Sequence, residues 1–331
     1  VRMTKVFVGE DEDGKSTKDR QTMSRVFIGL GMNPNVSGVL VVCNKAESGY
    51  PELNPQHIVT KIELSGKRVE LLSVEESGGY YKALAKGIKV TRSLVIEASK
   101  RRKESAKLGE LAVGIKCGLS DSTSGISGNP TVGYFIDKLI DDGGTAFFSE
   151  TTEVIGAEHI LAKRFLTDKA RDKFLKAVYD IEDEAKTTGE DIRSINPIPA
   201  NIEAGLTTLE EKSLGAISKA GSREIQNVLG YAERPERKGL FFMDSWMSST
   251  SLFLGYAAAG ANLVIFQMGG AVLPFDSPMP AIATGLVAPI FYTTGNPLVF
   301  KKDIDEFDFG SGTIIEGIET LEEAGENLTS T

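Results

Sequence analysis

An α/β fold, with largely parallel sheets covered by helices in two units, is predicted by three features of the sequence. Short β-branched runs alternate with segments of helical period. Several of those runs are apolar throughout, as strands buried on both faces are. The length, 331 residues, suits about two domains of roughly 100 to 200 residues each. Glycine, at 35 residues, exceeds its usual share of about 7%, so tight turns are expected.

In chain order, strands are predicted at Lys5–Val8, Gly38–Cys43, Arg68–Ser73, Leu111–Lys116, Thr145–Ser149, Gly239–Met243, Leu263–Gln267 and Pro289–Thr293. Asn129 as N-cap and Pro130 at the first helical position open a helix carrying Val132, Phe135, Ile136, Leu139 and Ile140, which Gly143 closes. Asp168 to Lys186 reads as an exposed amphipathic helix. Thr208 and Glu211 have capping-box spacing before Leu214 and Ile217, and Gly221 ends that helix. Between these two helices, Thr187 to Gly205 is rich in Pro and Asn and lacks an apolar period, so it is either functional or draped over a surface. Ser245 to Phe275 carries no charge, but Gly260 and Asn262 interrupt it, Gly269 and Gly270 close it and Pro274 follows. A buried helix, a turn and a buried strand fit better than a membrane span, which needs about 20 continuous apolar residues. A charged helix near Lys100 to Gly109 is expected to separate a smaller unit, 1–108, from a larger one, 109–331.

Composition narrows the function. Hydrophobic residues make up 41% and charged residues 25%, the balance of a folded globular protein. With 37 Lys plus Arg against 46 Asp plus Glu, the formal charge is -9, and nucleic acid is not an expected partner. Two cysteines, Cys43 and Cys117, cannot build a disulfide framework, and a reducing cytoplasm is the expected compartment. Only His57 and His159 are present, too few for a three-histidine metal site within one chain.

Gly9 to Ser16 matches the phosphate-binding loop pattern letter for letter. Its four variable positions, Glu10, Asp11, Glu12 and Asp13, are all acidic and would repel a polyphosphate. A solvated acidic turn is the better reading.

Ligands of open α/β sheets collect outside the carboxyl ends of the strands. After Leu111–Lys116 come Cys117, Gly118, Leu119, Ser120 and Asp121, then a Ser- and Gly-rich loop through Ser124 to the helix start at Asn129. Such a loop suits a carboxylate or phosphate. Glu150 follows the next strand, and Asp244, Ser245 and Ser248 follow Gly239–Met243. Each also has a structural reading. Asp121 can brace its own loop, Glu150 can cap the next helix, and Cys117 can be a small buried thiol. His159 can make a structural hydrogen bond, Trp246 can anchor packing, Cys43 fits core, and Lys212 is either a solvated helix lysine or a cation for an anion.

At these residues the chain resembles the C-terminal region of the altronate and galactarate dehydratase family, which also includes the large subunit of (2R)-sulfolactate sulfo-lyase. The resemblance runs through NPNVSGVLVV (Asn33–Val42), VGIKCGLSDSTSGISGNPTVG (Val113–Gly133), DDGGTAFFSETTEVIGAEHIL (Asp141–Leu161), NPIPANIEAGLTTLEEKSLG (Asn196–Gly215), GLFFMDS (Gly239–Ser245) and AAAGANLVIF (Ala257–Phe266). It implies elimination of water from a sugar acid, with a proton leaving the carbon beside the carboxylate and hydroxide leaving the next carbon. It also implies a divalent metal, iron foremost, and a small β-rich domain that here would be a separate partner subunit. A second copy of the chain, as a homodimer, is the other expected partner.

Carried over by resemblance, Asp121 and Glu150 are candidate metal or proton-transfer carboxylates, Lys212 a cation for an anion, and Cys117 a metal ligand. Ser120, Ser124, Asn129, Asn201 and Asp244 are candidate substrate contacts. The chain departs from the family pattern at Ala46, where the family has cysteine while Glu47 is kept, at Leu119 and Ala200, which replace glycines, and in an upstream Gly-Cys-Gly motif that is missing. Two other readings are open: sulfo-lyase chemistry, with sulfite as the leaving group, and a catalytically silent scaffold that dimerises and docks a small catalytic subunit.

Overall fold

The computed structural model describes residues 18–46, 50–271 and 285–331. The predicted strand Lys5–Val8, the acidic Gly9–Ser16 turn and Glu47 lie outside the described residues. The chain divides into two compact units. One comprises Val1–Ala106, Ala232–Arg234 and Ala257–Gly260, the other Lys107–Tyr231, Pro235–Tyr256 and Ala261–Thr331.

In the first unit, α1 (Lys18–Met32), β1 (Gly38–Cys43), α2 (Pro55–Glu63), β2 (Arg68–Ser73) and α3 (Tyr80–Ser99) follow in order. β1 and β2 pair in parallel from Gly38 opposite Arg68 to Cys43 opposite Ser73. α2 starts where Asn54 Oδ1 accepts from the amides of Gln56 and His57 and Pro55 takes the first turn, because neither amide has an intrahelical partner there. Its Ile58, Val59 and Ile62 are buried.

The predicted charged helix at Lys100–Gly109 does not form. α3 ends at Ser99, residues 101–107 have no regular structure, and a short 3-10 turn, Leu108–Glu110, follows. Short helices in proteins are held mainly by packing of an apolar face, and Arg101 to Lys107 has no such face.

The second unit is built on a seven-stranded, wholly parallel sheet: β3 (Ala112–Gly118), β4 (Thr145–Phe148), β5 (Ile225–Leu229), β6 (Gly239–Met243), β7 (Leu263–Met268), β8 (Ile290–Thr294) and β9 (Phe309–Gly310). Their order across the sheet is β5-β6-β4-β3-β7-β8-β9. The helices are α4 (Asn129–Asp141), α5 (Glu158–Ala162), α6 (Asp168–Thr187), α7 (Pro199–Glu203), α8 (Leu209–Ile217), α9 (Ser249–Ala259), α10 (Pro297–Lys302) and α11 (Leu321–Ser330). From β3 the chain moves to β4 on one side, and from β7 it continues to β8 and β9 on the other. The crevice at the carboxyl ends of β3 and β7 is therefore a topological switch point.

The core joins Val113 and Ile115 of β3, Val132, Ile136 and Leu139 of α4, Phe148 of β4, Phe174 and Val178 of α6, and Phe242 of β6. Phe242 meets Phe174 edge-on at 4.9 Å and Phe148 edge-on at 5.2 Å, a favoured aromatic geometry.

Strands β5 and β9 escape the sequence reading. Gln226 and Asn227 interrupt the apolar run of β5, a bulged edge strand, and β9 is two residues long. The first helix of this unit also begins differently. A π turn, Ser124–Gly128, precedes Asn129, which is already helical, so its side chain is not the cap and its Nδ2 donates to Gly215 O at 3.0 Å. Thr208 does cap α8, accepting from Glu211 N at 3.1 Å. The uncharged stretch resolves into α9, a turn at Gly260 and β7, and among the described residues no helix is long and apolar enough to cross a membrane.

One glycine of α4 permits a close approach. A Cβ on Gly133 would stand 2.2 Å from Ser218 O. The variant Gly133→Ala is expected to lose about 1–3 kcal/mol of stability, the usual cost of overpacking. Urea unfolding measures it, and an unchanged midpoint would show that the two segments part freely.

Candidate active site

A cavity of ≈ 280 Å³ opens at the carboxyl ends of β3 and β7, near the lower end of the usual range for small-molecule sites. Lys116, Cys117 and Ser120 line it from β3 and its following turn, Phe266 and Met268 from β7, and Tyr292 from β8. Glu153, Asn196, Asn201 and Lys212 complete its polar wall.

Beneath it lies a charged group in the dry interior. Glu150, fully buried, sits just past β4 in the left-handed region at φ 75°, a conformation that disfavours most non-glycine residues. Its carboxylate accepts from Lys116 Nζ at one oxygen and from Lys219 Nζ, at 2.7 Å, at the other. The Cys117 amide donates to Glu150 Oε2 at 3.2 Å. Lys219 Nζ also lies 3.1 Å from Cys117 Sγ, and Lys116 Nζ donates to Cys117 O.

Burial alone would push the Glu150 carboxyl up, but the ammonium groups of Lys116 and Lys219 outweigh it and hold the group at about 2. Burial likewise disfavours the Lys219 ammonium, yet Cys117 and Glu150 hold its pKa above the ordinary lysine value. The Cys117 thiol is pushed up, first by burial and then by the Glu150 charge. It therefore stays protonated at neutral pH.

A second pair stands on the cavity wall. Lys212, on α8, reaches Glu153 Oε2 at 3.1 Å, Asn196 Oδ1 at 2.7 Å and Asn201 Oδ1 at 3.4 Å. Asn196 Nδ2 donates to Glu153 Oε1 at 3.3 Å, and Asn201 Nδ2 donates to Ser120 O at 2.8 Å. The long segment before α8 is thus part of the site: both asparagines come from it.

Of the residues singled out in the sequence, Cys117, Ser120, Asn201 and Lys212 line the cavity. Glu150 lies under it, bonded to two of the lining residues. Asp121 is buried and braces its loop. Its Oδ1 accepts from Thr123 Oγ1 at 2.6 Å and from Ser124 N at 3.0 Å, and its Oδ2 accepts from Gly270 N at 2.6 Å and Asn296 Nδ2 at 2.8 Å. Ser124 belongs to the same brace and Asn129 to the helix contact with Gly215. Asp244 is exposed and accepts from Thr151 Oγ1 at 3.0 Å. None of these four is on the cavity wall. His159 and Trp246 are both exposed, so Trp246 does not anchor packing.

Sequence reasoning missed Lys116, Lys219 and Asn196, and noted Glu153 beyond the strand end without giving it a role. A signal existed for the lysines: Lys116 interrupts an apolar parallel strand, and Lys219 stands between Ile217 and Ala220. A charged residue there is buried and must be paired.

The donor set at Cys117 does not suit a metal. Its sulfur faces the Lys219 ammonium, the neighbouring carboxylate already serves two cations, and no group of three or more His, Cys, Asp or Glu among the described residues could hold an ion. The iron expected from the resemblance has no ligand set there.

Two family models match the chain: the C-terminal domain of D-galactarate/altronate dehydratase over residues 108–331, and the second domain of D-galactarate dehydratase/altronate hydrolase over residues 4–99. The chain is 36% identical to the (2R)-sulfolactate sulfo-lyase subunit beta of Chromohalobacter salexigens over 92% of its own length and 75% of that protein's. It is 30% identical to the galactarate dehydratase (L-threo-forming) of Escherichia coli, covering 92% of this chain and 57% of the relative. With the altronate dehydratase of Bacillus subtilis the figures are 31%, 90% and 56%. The chain therefore spans a little over half the length of these two dehydratases, and it belongs to the D-galactarate/altronate dehydratase family, a family of lyases.

Proposed function

We propose that this chain is the large subunit or C-terminal portion of a hydro-lyase that eliminates water from a sugar acid of the altronate or galactarate type. Its small β-rich partner would be supplied separately. The observation that carries this reading is the Glu153–Lys212 pair, 3.1 Å apart and nearly dry on the cavity wall.

Elimination needs a base for the proton beside the carboxylate and an acid for the departing hydroxyl. Glu153 takes the carbon-bound proton, and the electron pair of that bond forms the new double bond as the C–O bond breaks. Lys212 protonates the departing hydroxide, which leaves as water. The proton on Glu153 then passes to Lys212 and restores the ion pair. Negative charge building on the substrate acid group is met by the ammonium groups at the cavity.

A second reading, sulfo-lyase chemistry, is favoured by the 36% identity to the sulfo-lyase beta subunit and the 75% of that subunit that the chain covers. There the C–S bond breaks and sulfite carries the electron pair away, so no proton need be donated. The word subunit in that relative's name also supports a multi-subunit assembly. A homodimer within it is part of the proposal.

The test is an elimination assay on aldonates, aldarates and sulfolactate, with and without iron and with and without a co-expressed small subunit. Formation of a 2-keto-3-deoxy acid supports the hydro-lyase, and sulfite release supports the sulfo-lyase. No turnover under any combination overturns both and leaves the docking scaffold. A dependence on added iron would place its ligands on the partner or outside the described residues.

A further inference from the structure

The charges at the cavity do not balance among the described residues. Lys212 and Glu153 cancel, and the three N–H groups of Lys212 have three acceptors in Glu153, Asn196 and Asn201. At the end of β3, in contrast, two ammonium groups, Lys116 and Lys219, share the single carboxylate of Glu150. The Cys117 thiol donates to Glu150 Oε2 at 3.6 Å and, keeping its proton, adds no charge. One positive charge is left over on side chains only 6% and 1% exposed, and an uncompensated buried charge is costly. Of the two lysines, Lys116 lines the cavity. Its Nζ serves Glu150 and Cys117 O, so a third N–H is available to a ligand.

We infer that Lys116, and not Lys212, holds the acid group of the substrate, and that the Lys116–Glu150–Lys219 group is set to receive one negative charge. This assignment rests on the lyase reading for the kind of ligand. Lys219 acts through the others: it sets the charge without touching the cavity. Lys212 keeps proton transfer: once Glu153 has taken the substrate proton, the N–H that served its carboxylate is free for the departing hydroxyl. A substrate with two acid groups would have only one of them held here.

The assignment is tested by equilibrium binding, which needs no turnover. The full chain is titrated calorimetrically with D-galactarate, D-altronate and 3-sulfolactate. Galactitol, which has the carbon skeleton of galactarate and no acid group, serves as a control. At least one of the three anions is expected to bind, and galactitol about a hundredfold more weakly or not at all.

Lys116→Met leaves the matched Glu150–Lys219 pair, and Lys219→Met leaves the matched Lys116–Glu150 pair. Each is expected to weaken the anion at least about tenfold, as loss of a charge-assisted contact does. The double variant Glu150→Gln/Lys219→Met removes one charge of each sign from the buried group, which restores the single excess charge on Lys116. Its affinity is expected to recover to within about threefold of the parent, a coupling that a merely structural role for Lys219 would not produce.

Failure of all three anions to bind, galactitol binding as tightly as the anions, or Lys116→Met binding unchanged would each overturn the assignment. So would a double variant as weak as Lys219→Met. Anion binding that follows this pattern with no turnover would overturn the lyase reading alone. The galactitol comparison uses the unaltered protein, so the proposal stays testable even where a variant fails to fold.

Discussion

Replacing Glu150 with Ala is expected to cost about 3–5 kcal/mol of stability at neutral pH, the penalty for leaving a buried charge without its partner. Against a total of about 5–15 kcal/mol for a typical domain, such a loss brings the second unit close to unfolding. The cause is specific: the variant leaves Lys116 and Lys219 facing one another with no carboxylate between them.

The pH dependence of the variant should differ from that of the parent. The Glu150 carboxyl is held at about 2 against an ordinary value of 4.5. Its contribution is therefore present above pH 4.5 and is lost as pH falls toward 2. The Lys219 pKa is raised above 10.5, so its contribution is present below pH 10.5 and is lost as pH rises through the higher folded-state value. The buried group thus leaves parental stability flat between these limits. In the Ala variant the Lys219 ammonium lacks that counter-charge, and its burial penalty is relieved as it loses its proton. The gap between variant and parent should narrow as pH rises through the lysine range. Urea unfolding of both proteins from pH 6 to pH 10 measures this. A variant within about 1 kcal/mol of the parent at pH 7 would show that water reaches the two lysines.

Glu153→Gln is expected to lower kcat by about 10²–10⁴-fold, the usual worth of a general base, with KM changed little. Gln keeps an oxygen to accept from Lys212 and has nearly the shape of Glu, so the wall formed by Lys212, Asn196 and Asn201 should survive. Its circular dichroism spectrum is expected to match the parent, with a lower melting temperature because Lys212 loses its counter-charge. Steady-state rates on the preferred acid, with any required partner present, decide the matter. A loss smaller than tenfold would remove Glu153 from the reaction and require another proton acceptor.

Much of the architecture could be read from local pattern. β1 and β6 lie where continuous apolar runs place them, and Thr208 starts α8 by the spacing that names it as a cap. Two of the misses share a cause: each depends on something distant in the chain. β5 is stabilised by pairing with β6 and not by its own mixed sequence, and Asn129 bonds to Gly215 and not to the amides beside it.

The site follows the same division. The positions at or just past the strand ends hold Cys117, Ser120 and Glu150, and they meet because parallel strands bring their carboxyl ends to one edge. Asp121 holds such a position too, at the right edge but with both oxygens turned to its own loop and to Gly270 and Asn296. Strand ends locate such a carboxylate but not its direction. Lys219 and Glu153 come from turns whose place in space only the tertiary fold decides.

The central strand of the sheet has a bearing on how the chain folds during synthesis. β3 pairs with β4, some thirty residues later, but also with β7, where Val113 lies opposite Leu263 and Gly118 opposite Met268. A nascent chain released as far as β4 therefore exposes one long edge of β3, with Lys116 and Cys117 on it, until most of the remaining polypeptide has emerged from the ribosome. Such distant pairing slows folding and prolongs exposure to aggregation. Any truncation before Met268 would remove the strand that shields that edge, so the minimal expressible fragment that retains the crevice must extend past β7.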